Sequence, residues 1–399
     1  MPSGSEKYCL NIIFIGESYL GGMAGSKRIQ NIINSLLKSE AVTIFNLIIV
    51  NPNDKNKTEQ TGLKNSVPYQ KIVYNIANPF SLIRHYIKGF RFISKAKNKN
   101  AQNIIYCYNA PTVLNIPFLI YSRLIKMKVV VDIVEDYDLL DTINLNLGKK
   151  VKLFFNRLLE RKIHLYSNGI FAISNSLKEK FLEITKGEIP LMYLPITVNF
   201  DPFKEVRNQE NNNIIKIFYG GSFGEKDGLI YLLKAFEIIT ECHSNIELIL
   251  TGKPAKNGMN SILDVINNSN IKSKIHYLGY LEDNQYYETL QNCDIFCMTR
   301  INSRYANAGF PFKLGEMLAT GKPVLATKVG NVSNFLENGK NAILVEPDSV
   351  DEIVIGLKLI IENPEWAKNI GLNGKDVAFD FFNSDKISVS LRSFLTQLE

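Results

Sequence analysis

The sequence predicts an α/β protein built from two facing doubly wound, parallel-sheet (Rossmann-like) domains. Short apolar runs alternate with stretches of helical periodicity along the whole chain, the pattern of parallel strands with helices on both faces. That alternation stops once, at the polar and asparagine-rich residues 201–213, and then resumes. The 399 residues are enough for two domains of ordinary size.

In the first half, strands are expected at Leu10–Ile15, Thr43–Val50, Lys71–Tyr74, Asn103–Tyr108, Lys128–Ile133 and Gly169–Ile173. Helices fit between them, for example at Arg28–Lys38 and Ser176–Ile184. In the second half, strands are expected at Ile214–Tyr219, Ile246–Thr251, Lys274–Leu278, Asp294–Met298, Pro323–Ala326 and Ala342–Val345. The expected division is 1–200, a linker at 201–213, and a second domain at 214–376. Ligands of such domains bind at the carboxyl ends of the strands.

Composition narrows the class. At 45% hydrophobic and 21% charged residues the chain reads as globular, not disordered. No apolar run reaches the roughly 18–20 residues a membrane span needs, and no signal-peptide pattern follows the first apolar run. Five scattered cysteines, with no second pair to complete a zinc site, read as reduced thiols of a cytoplasmic protein. Charge is uneven: residues 1–200 hold 26 Lys and Arg against 14 Asp and Glu, and the remainder 20 against 25. A basic half suits an acidic partner. Nucleic acid is not expected, because no helix-turn-helix, zinc-finger or RNP-like pattern occurs. Two stretches, Pro79–Lys97 and Lys149–Lys162, mix bulky apolar residues with cations. They read either as helices at an anionic membrane surface or as packed helices with a solvated basic face.

The most informative stretch is 308–330: Ala308-Gly309-Phe310-Pro311-Phe312-Lys313-Leu314-Gly315-Glu316, closed by Gly321, Pro323 and the apolar Val324-Leu-Ala. A glycine turn opens a short helix whose first turns carry Lys313 and Glu316; Gly321 stops it, and a buried strand follows. A helix N-terminus attracts anions. Lys313 there can neutralise a phosphate, and Glu316 one turn on can accept hydrogen bonds from two neighbouring ribose hydroxyls. An ordinary helix with Lys313 and Glu316 facing water fits the same residues.

This stretch resembles the donor-site signature of family 4 glycosyltransferases, which have the GT-B fold, and in particular their bacterial capsule and O-antigen branch. The larger family has two glutamates eight residues apart; Glu316 matches the second, and Ala308 stands in place of the first. The resemblance implies a retaining enzyme that needs no cofactor or metal. It would move a sugar from a nucleotide diphosphate-sugar held by the C-terminal domain to a glycan or lipid-linked acceptor held by residues 1–200. It also implies that 377–399 fold back onto the first domain. The cysteines suggest a cytoplasmic position, and the basic half suggests peripheral attachment to the inner membrane face.

Other motifs fit this frame. Gly16-Glu-Ser-Tyr-Leu-Gly21-Gly22-Met-Ala-Gly25-Ser-Lys27-Arg28 is neither a P-loop nor Gly-x-Gly-x-x-Gly. Its glycines, with Gly21 and Gly22 assigned to acceptor binding, let substrate approach the backbone, while Lys27 and Arg28 in the first helical turn suggest a nearby phosphate. At Asp132-Ile-Val134-Glu135-Asp136-Tyr-Asp138, Asp132 and Glu135 are either acceptor contacts or helix caps. Val134 stands where the family often has a donor-holding histidine, and Asp136-x-Asp138 is a weak metal–nucleotide match. Gly220-Gly221-Ser222 with Lys226 forms a second glycine turn that can cradle a phosphate or sugar oxygen. Gly252 matches the family's turn near the base. Arg300, Arg304 and Lys313 are expected to face one diphosphate, with Lys313 and Arg300 supplying catalytic charge. Gly221, Ser222, Lys226, Gly252, Arg304, Gly309, Phe310, Pro311 and Glu316 complete the expected donor site. The competing readings are a non-catalytic GT-B partner subunit, favoured by Ala308 and Val134, and a GT-B sugar-nucleotide epimerase. The epimerase would need proton-moving groups, and the four histidines lie outside the donor-site motifs.

Overall fold

The computed structural model describes residues 9–16, 24–50, 59–75, 78–139, 146–204, 213–252 and 259–398. The chain divides into two compact units, one of residues 1–195 and 384–399 and one of residues 196–383.

The first unit runs β1 (Leu10–Gly16), α1 (Ala24–Leu36), β2 (Val42–Val50), β3 (Gln60–Lys64), β4 (Val67–Val73), α2 (Pro79–Ala96) and β5 (Gln102–Tyr108). It continues through α3 (Ile116–Leu124), β6 (Lys128–Ile133), α4 (Leu147–Arg161), β7 (Gly169–Ala172), α5 (Asn175–Thr185) and β8 (Leu191–Tyr193). Its sheet has the order β3-β4-β2-β1-β5-β6-β7-β8, parallel except for the edge pair β3–β4. Strands such as β1 and β6 are buried along almost their whole length, as expected where helices cover both faces. On one face, Phe14, Tyr106 and Phe171 stack in series under α1.

The other face holds α2 and α3, where Gly89 lets the Phe118 ring approach; a Cβ there would stand 2.2 Å from it. His85 of α2 is buried among Tyr74, Tyr86 and Phe118, and neither ring nitrogen has a hydrogen-bond partner. Burial pushes its pKa down to about 4, against a smaller upward pull from Glu59. A base with a depressed folded-state pKa leaves the unfolded chain binding more protons below about pH 6.5. Its stability contribution is therefore complete above that value and falls away toward pH 4. Replacing His85 with Phe should remove this loss: in thermal melts, the Tm advantage of the variant over the parent should widen from pH 7.5 to pH 4.5.

The second unit runs β9 (Ile215–Gly220), α6 (Leu229–Cys242), β10 (Ile246–Thr251), α7 (Met259–Asn267), β11 (Ile275–Tyr277), α8 (Asp283–Asn292) and β12 (Ile295–Met298). It ends with α9 (Arg304–Ala308), α10 (Phe312–Ala319), β13 (Val324–Thr327), β14 (Ile343–Val345), α11 (Val350–Glu362) and α12 (Pro364–Phe381). Its parallel sheet has the order β11-β10-β9-β12-β13-β14. The chain then returns to the first unit through α13 (Ser384–Thr396), which packs Leu391 and Leu395 into the core beneath α1, with Leu398 just after it.

The boundaries differ from those expected at 201–213 and 377. The division falls between Pro195 and Ile196, and the return between Asn383 and Ser384. Ile196 and Val198 pack against Gly315, where a Cβ would stand 2.6 and 2.7 Å from them, and the Val198 N–H donates to the Phe382 carbonyl at 2.7 Å. Asp201–Phe203 forms a 3₁₀ turn whose Pro202 carbonyl accepts from Gln291 at 2.6 Å. A switch at 377 would have to break α12, which is continuous to Phe381.

Candidate functional site

In an open α/β sheet, ligands lie beyond the carboxyl ends of the strands where strand order reverses. In the second unit that point lies between β9 and β12: from β9 the chain winds outward to β10 and β11, and β12 begins the opposite direction. The loops after these two strands are joined. The Ile301 N–H donates to the Lys226 carbonyl at 3.1 Å, and the Thr299 hydroxyl donates to the Gly228 carbonyl at 3.3 Å. Gly228 has φ +61°, and a Cβ on it would stand 1.9 Å from the Thr299 carbonyl oxygen, so only glycine closes this junction.

Lys313, in the first turn of α10, reaches this point. Its ammonium lies 3.1 Å from where a Cβ on Gly220 would sit, so the bare end of β9 gives it its place. It also stands 5.4 Å from the centre of the Tyr286 ring. The N-terminus of α10 has no side-chain cap on Pro311, and the helix dipole adds positive potential there. Glu316, one turn on, is only 3% exposed. Its carboxylate accepts hydrogen bonds from the Tyr286 hydroxyl at 3.0 Å and the Tyr287 hydroxyl at 3.3 Å. Burial first, and then the Glu316 charge, push the Tyr286 phenol pKa well above its ordinary value, so it stays a donor. Glu316 thus faces the α8 tyrosines, not an open ribose position as the sequence suggested.

The glycine turn after β9 is held by Asp227, whose carboxylate accepts from the Ser222 hydroxyl at 2.6 Å and the Gly224 N–H at 3.3 Å. Gly221 and Gly252 lie against each other: the Gly221 N–H donates to the Thr251 carbonyl, and a Cβ on Gly252, at φ +146°, would stand 1.8 Å from the Gly221 oxygen. Lys226 lies over the Tyr305 ring at 4.5 Å. Arg300 follows β12. Desolvation pulls its pKa below the ordinary value, and the opposing influence of Asp227, Tyr219 and Tyr305 is insufficient to restore it. A guanidinium stays charged regardless, and Arg300 is part-buried. A part-buried cation just after β12 suits an incoming anion. Arg304 is exposed at the start of α9, which Ser303 caps. Gly309 borders open space, with nothing within 4 Å of a Cβ position.

Several expected site residues have other roles. Phe310 is 6% exposed and packs its ring against Phe335 and Phe382, and Pro311 is buried with it; both are core. Asp132 is 0% exposed, which overturns its assignment to acceptor contact. It holds Arg28 through two hydrogen bonds of 2.8 and 2.9 Å and accepts a third from the Tyr106 hydroxyl at 2.8 Å. The Arg28 guanidinium also donates to the Leu194 and Pro195 carbonyls. α1 begins at Ala24, so Arg28 lies past its first turn, and its place is explained by Asp132, without a phosphate. Asp136 and Asp138, the weak metal–nucleotide motif, enclose Lys180 together with Glu160, at 2.6, 3.1 and 2.5 Å. Glu135 remains exposed beyond the end of β6, within 3.4 Å of the Asn109 amide. Gly21 and Gly22 lie outside the described residues. Sequence reasoning missed Tyr286, Tyr287 and Asp227, and no local pattern marked the two tyrosines.

Residues 200–377 match the model of the family described as glycosyl transferases group 1. An uncharacterized glycosyltransferase of Methanocaldococcus jannaschii is 23% identical over 244 residues, 59% of this chain and 60% of its own. The chain spans about half the length of the curated relatives it matches. Among solved structures, sucrose-phosphate synthase from Thermosynechococcus elongatus has a TM-score of 0.72 at 15% identity, covering 98% of this chain and 99% of that one. Anabaena HepE in complex with UDP and glucose has a TM-score of 0.71 at 15% identity, covering 97% and 100%. The chain is an α/β protein of the GT-B fold, and its second unit carries the glycosyl transferases group 1 match.

Proposed function

We propose that this chain is a glycosyltransferase that takes a hexosyl group from a nucleotide diphosphate-sugar, with retention of configuration and without a metal. The acceptor is a lipid-linked or cell-surface glycan precursor, the branch is the family 4 capsule and O-antigen type, and the enzyme works at the inner membrane face of the cytoplasm. The observation that carries the reading is the Lys313 ammonium seated over Gly220 at the strand-order reversal of the second unit, within the group 1 match.

Breaking a glycosyl–phosphate bond leaves negative charge on the departing diphosphate. Cations fixed in a desolvated site lower the barrier because they need no reorganisation as that charge develops. Lys313, the N-terminus of α10 and Arg300 are the groups assigned to this task. Asp227 holds the glycine turn in shape. Glu316 keeps α10 against α8 through the Tyr286 and Tyr287 hydroxyls. Glu135, exposed beyond the end of β6, is the carboxylate assigned to the acceptor.

A metal-free thermal-shift panel of UDP, GDP, CDP, dTDP and NAD tests this. A ligand that binds only the folded state raises Tm by mass action. One nucleoside diphosphate should raise it and so name the donor base. A shift from NAD alone, or from none of the five, would overturn the reading.

A further inference from the structure

We propose that one face of the first unit, formed by α2, α3 and α4, is an in-plane docking surface for an anionic lipid bilayer, with α4 as its inserted element. This goes beyond a basic N-terminal half, because the structure shows which side chains point outward. On α4, Leu153, Asn156 and Glu160 face the core. Leu147, Val151, Phe154, Phe155 and Leu158 are 78%, 48%, 64%, 46% and 47% exposed. At 3.6 residues per turn these five fall within roughly a 100° arc, opposite the buried stripe. An ordinary surface helix keeps that outer arc polar. Here it is an apolar ridge flanked by exposed lysines and arginines, such as Lys150 and Arg161 on one side and Lys152 on the other.

The same inversion recurs on α2. His85, Gly89, Ile93 and Ala96 are buried, while Phe80, Ile83 and Ile87 are 82%, 56% and 44% exposed on the opposite side, beside Arg84 and Arg91. On α3, Ile120 and Leu124 are 48% and 76% exposed. Right-handed crossovers place the three helices together. The β4→β5, β5→β6 and β6→β7 connections all advance the same way across the sheet, so α2, α3 and α4 cover one face, and α1, which goes the other way, covers the opposite one. Contacts support the adjacency: Lys97, just beyond α2, donates to the Ile125 carbonyl after α3, and Asn156 of α4 accepts from the Val113 N–H before α3.

Charge selects the occupant. Helices α2 and α3 contain no Asp or Glu, and the single acid of α4, Glu160, is buried against Lys180. A face that is apolar at its crest, cationic at its flanks and free of acid on its helices matches a lipid–water interface with anionic headgroups. No helix among the described residues is long and apolar enough to cross a membrane, so the contact is in the plane.

Flotation of the full chain with vesicles of phosphatidylcholine, with and without phosphatidylglycerol, at low and physiological salt, tests the proposal independently of any transferase activity. The chain should float with the anionic vesicles and progressively less as salt rises. The double variant Phe154→Ser, Leu158→Ser should lower partitioning about tenfold or more while keeping the far-UV spectrum. A Phe154→Trp reporter, in a chain whose only tryptophan is removed by Trp366→Phe, should shift its emission to the blue on anionic vesicles alone. No flotation with anionic vesicles, or equal flotation of the serine variant, would sink the proposal. So would a dimer in lipid-free solution that the serine variant dissociates, since the ridge would then bind a second copy of the chain.

Discussion

Replacing Asp132 with Ala should cost the first unit about 3–5 kcal/mol, the loss expected when one partner of a buried ion pair is removed and the other charge stays. Arg28 and Asp132 are 1% and 0% exposed. Burial works against the Arg28 charge, while the Asp132 charge and its hydrogen bonds more than compensate, so the guanidinium pKa ends above its ordinary value. Without the carboxylate, Arg28 keeps only the Leu194 and Pro195 carbonyls, and the Tyr106 hydroxyl loses its acceptor. Denaturant titration should show the midpoint of the transition falling in Asp132→Ala. The double variant Arg28→Met, Asp132→Leu should recover a good part of the loss, because a well-filled apolar pair can replace a buried ion pair. It will not recover all, since the two carbonyls then lose their donor. An unchanged midpoint in the single variant would show that the pair is not what holds α1 to β6. Leu194 and Pro195 are the last residues before the chain leaves the first unit.

The same pair shows where sequence reading runs out. Asp132 follows three valines at the carboxyl end of a strand, where α/β enzymes place working residues, and Arg28 opens a helix where a cation is unfavourable. Each position alone suggests a ligand. Only the fold reveals that they satisfy one another across 104 residues. Tyr286 and Glu316 are alike in this: 30 residues separate them, and nothing local announces their hydrogen bond. Local periodicity was enough for the buried parallel strands. Lys128–Ile133 is found as expected, and Leu10–Ile15 gains only Gly16. Strand β3 escaped notice because Gln60–Lys64 lies at an exposed edge without an apolar alternation, and β8 because three residues are too few to show a period. The boundary at Pro195 was hidden for a different reason. The polar composition of 201–213 marks a surface segment, but which unit a segment joins depends on what it packs against. Ile196 and Val198 pack on Gly315.

Lys313→Ala should lower turnover with the preferred donor by about 10²–10³-fold, the range for removing one fixed stabilising group from a developing negative charge. Stability should barely move, because Lys313 is half-buried and its ammonium sits over glycine backbone, not within the core. Glu316→Ala must behave differently. It strands the Tyr286 and Tyr287 hydroxyls, so a fall in Tm accompanies any fall in rate. The contrast separates a residue that acts on the leaving group from one that positions α10. Lys313→Arg should not restore the rate: the gap above Gly220 accommodates a compact ammonium 3.1 Å from the Cβ position, whereas a guanidinium is broad and planar. Steady-state kinetics on the three variants, with melts of each, distinguish these outcomes. If Lys313→Ala keeps the parent rate, the diphosphate is neutralised elsewhere, and Arg300, part-buried just after β12, is the next group to replace.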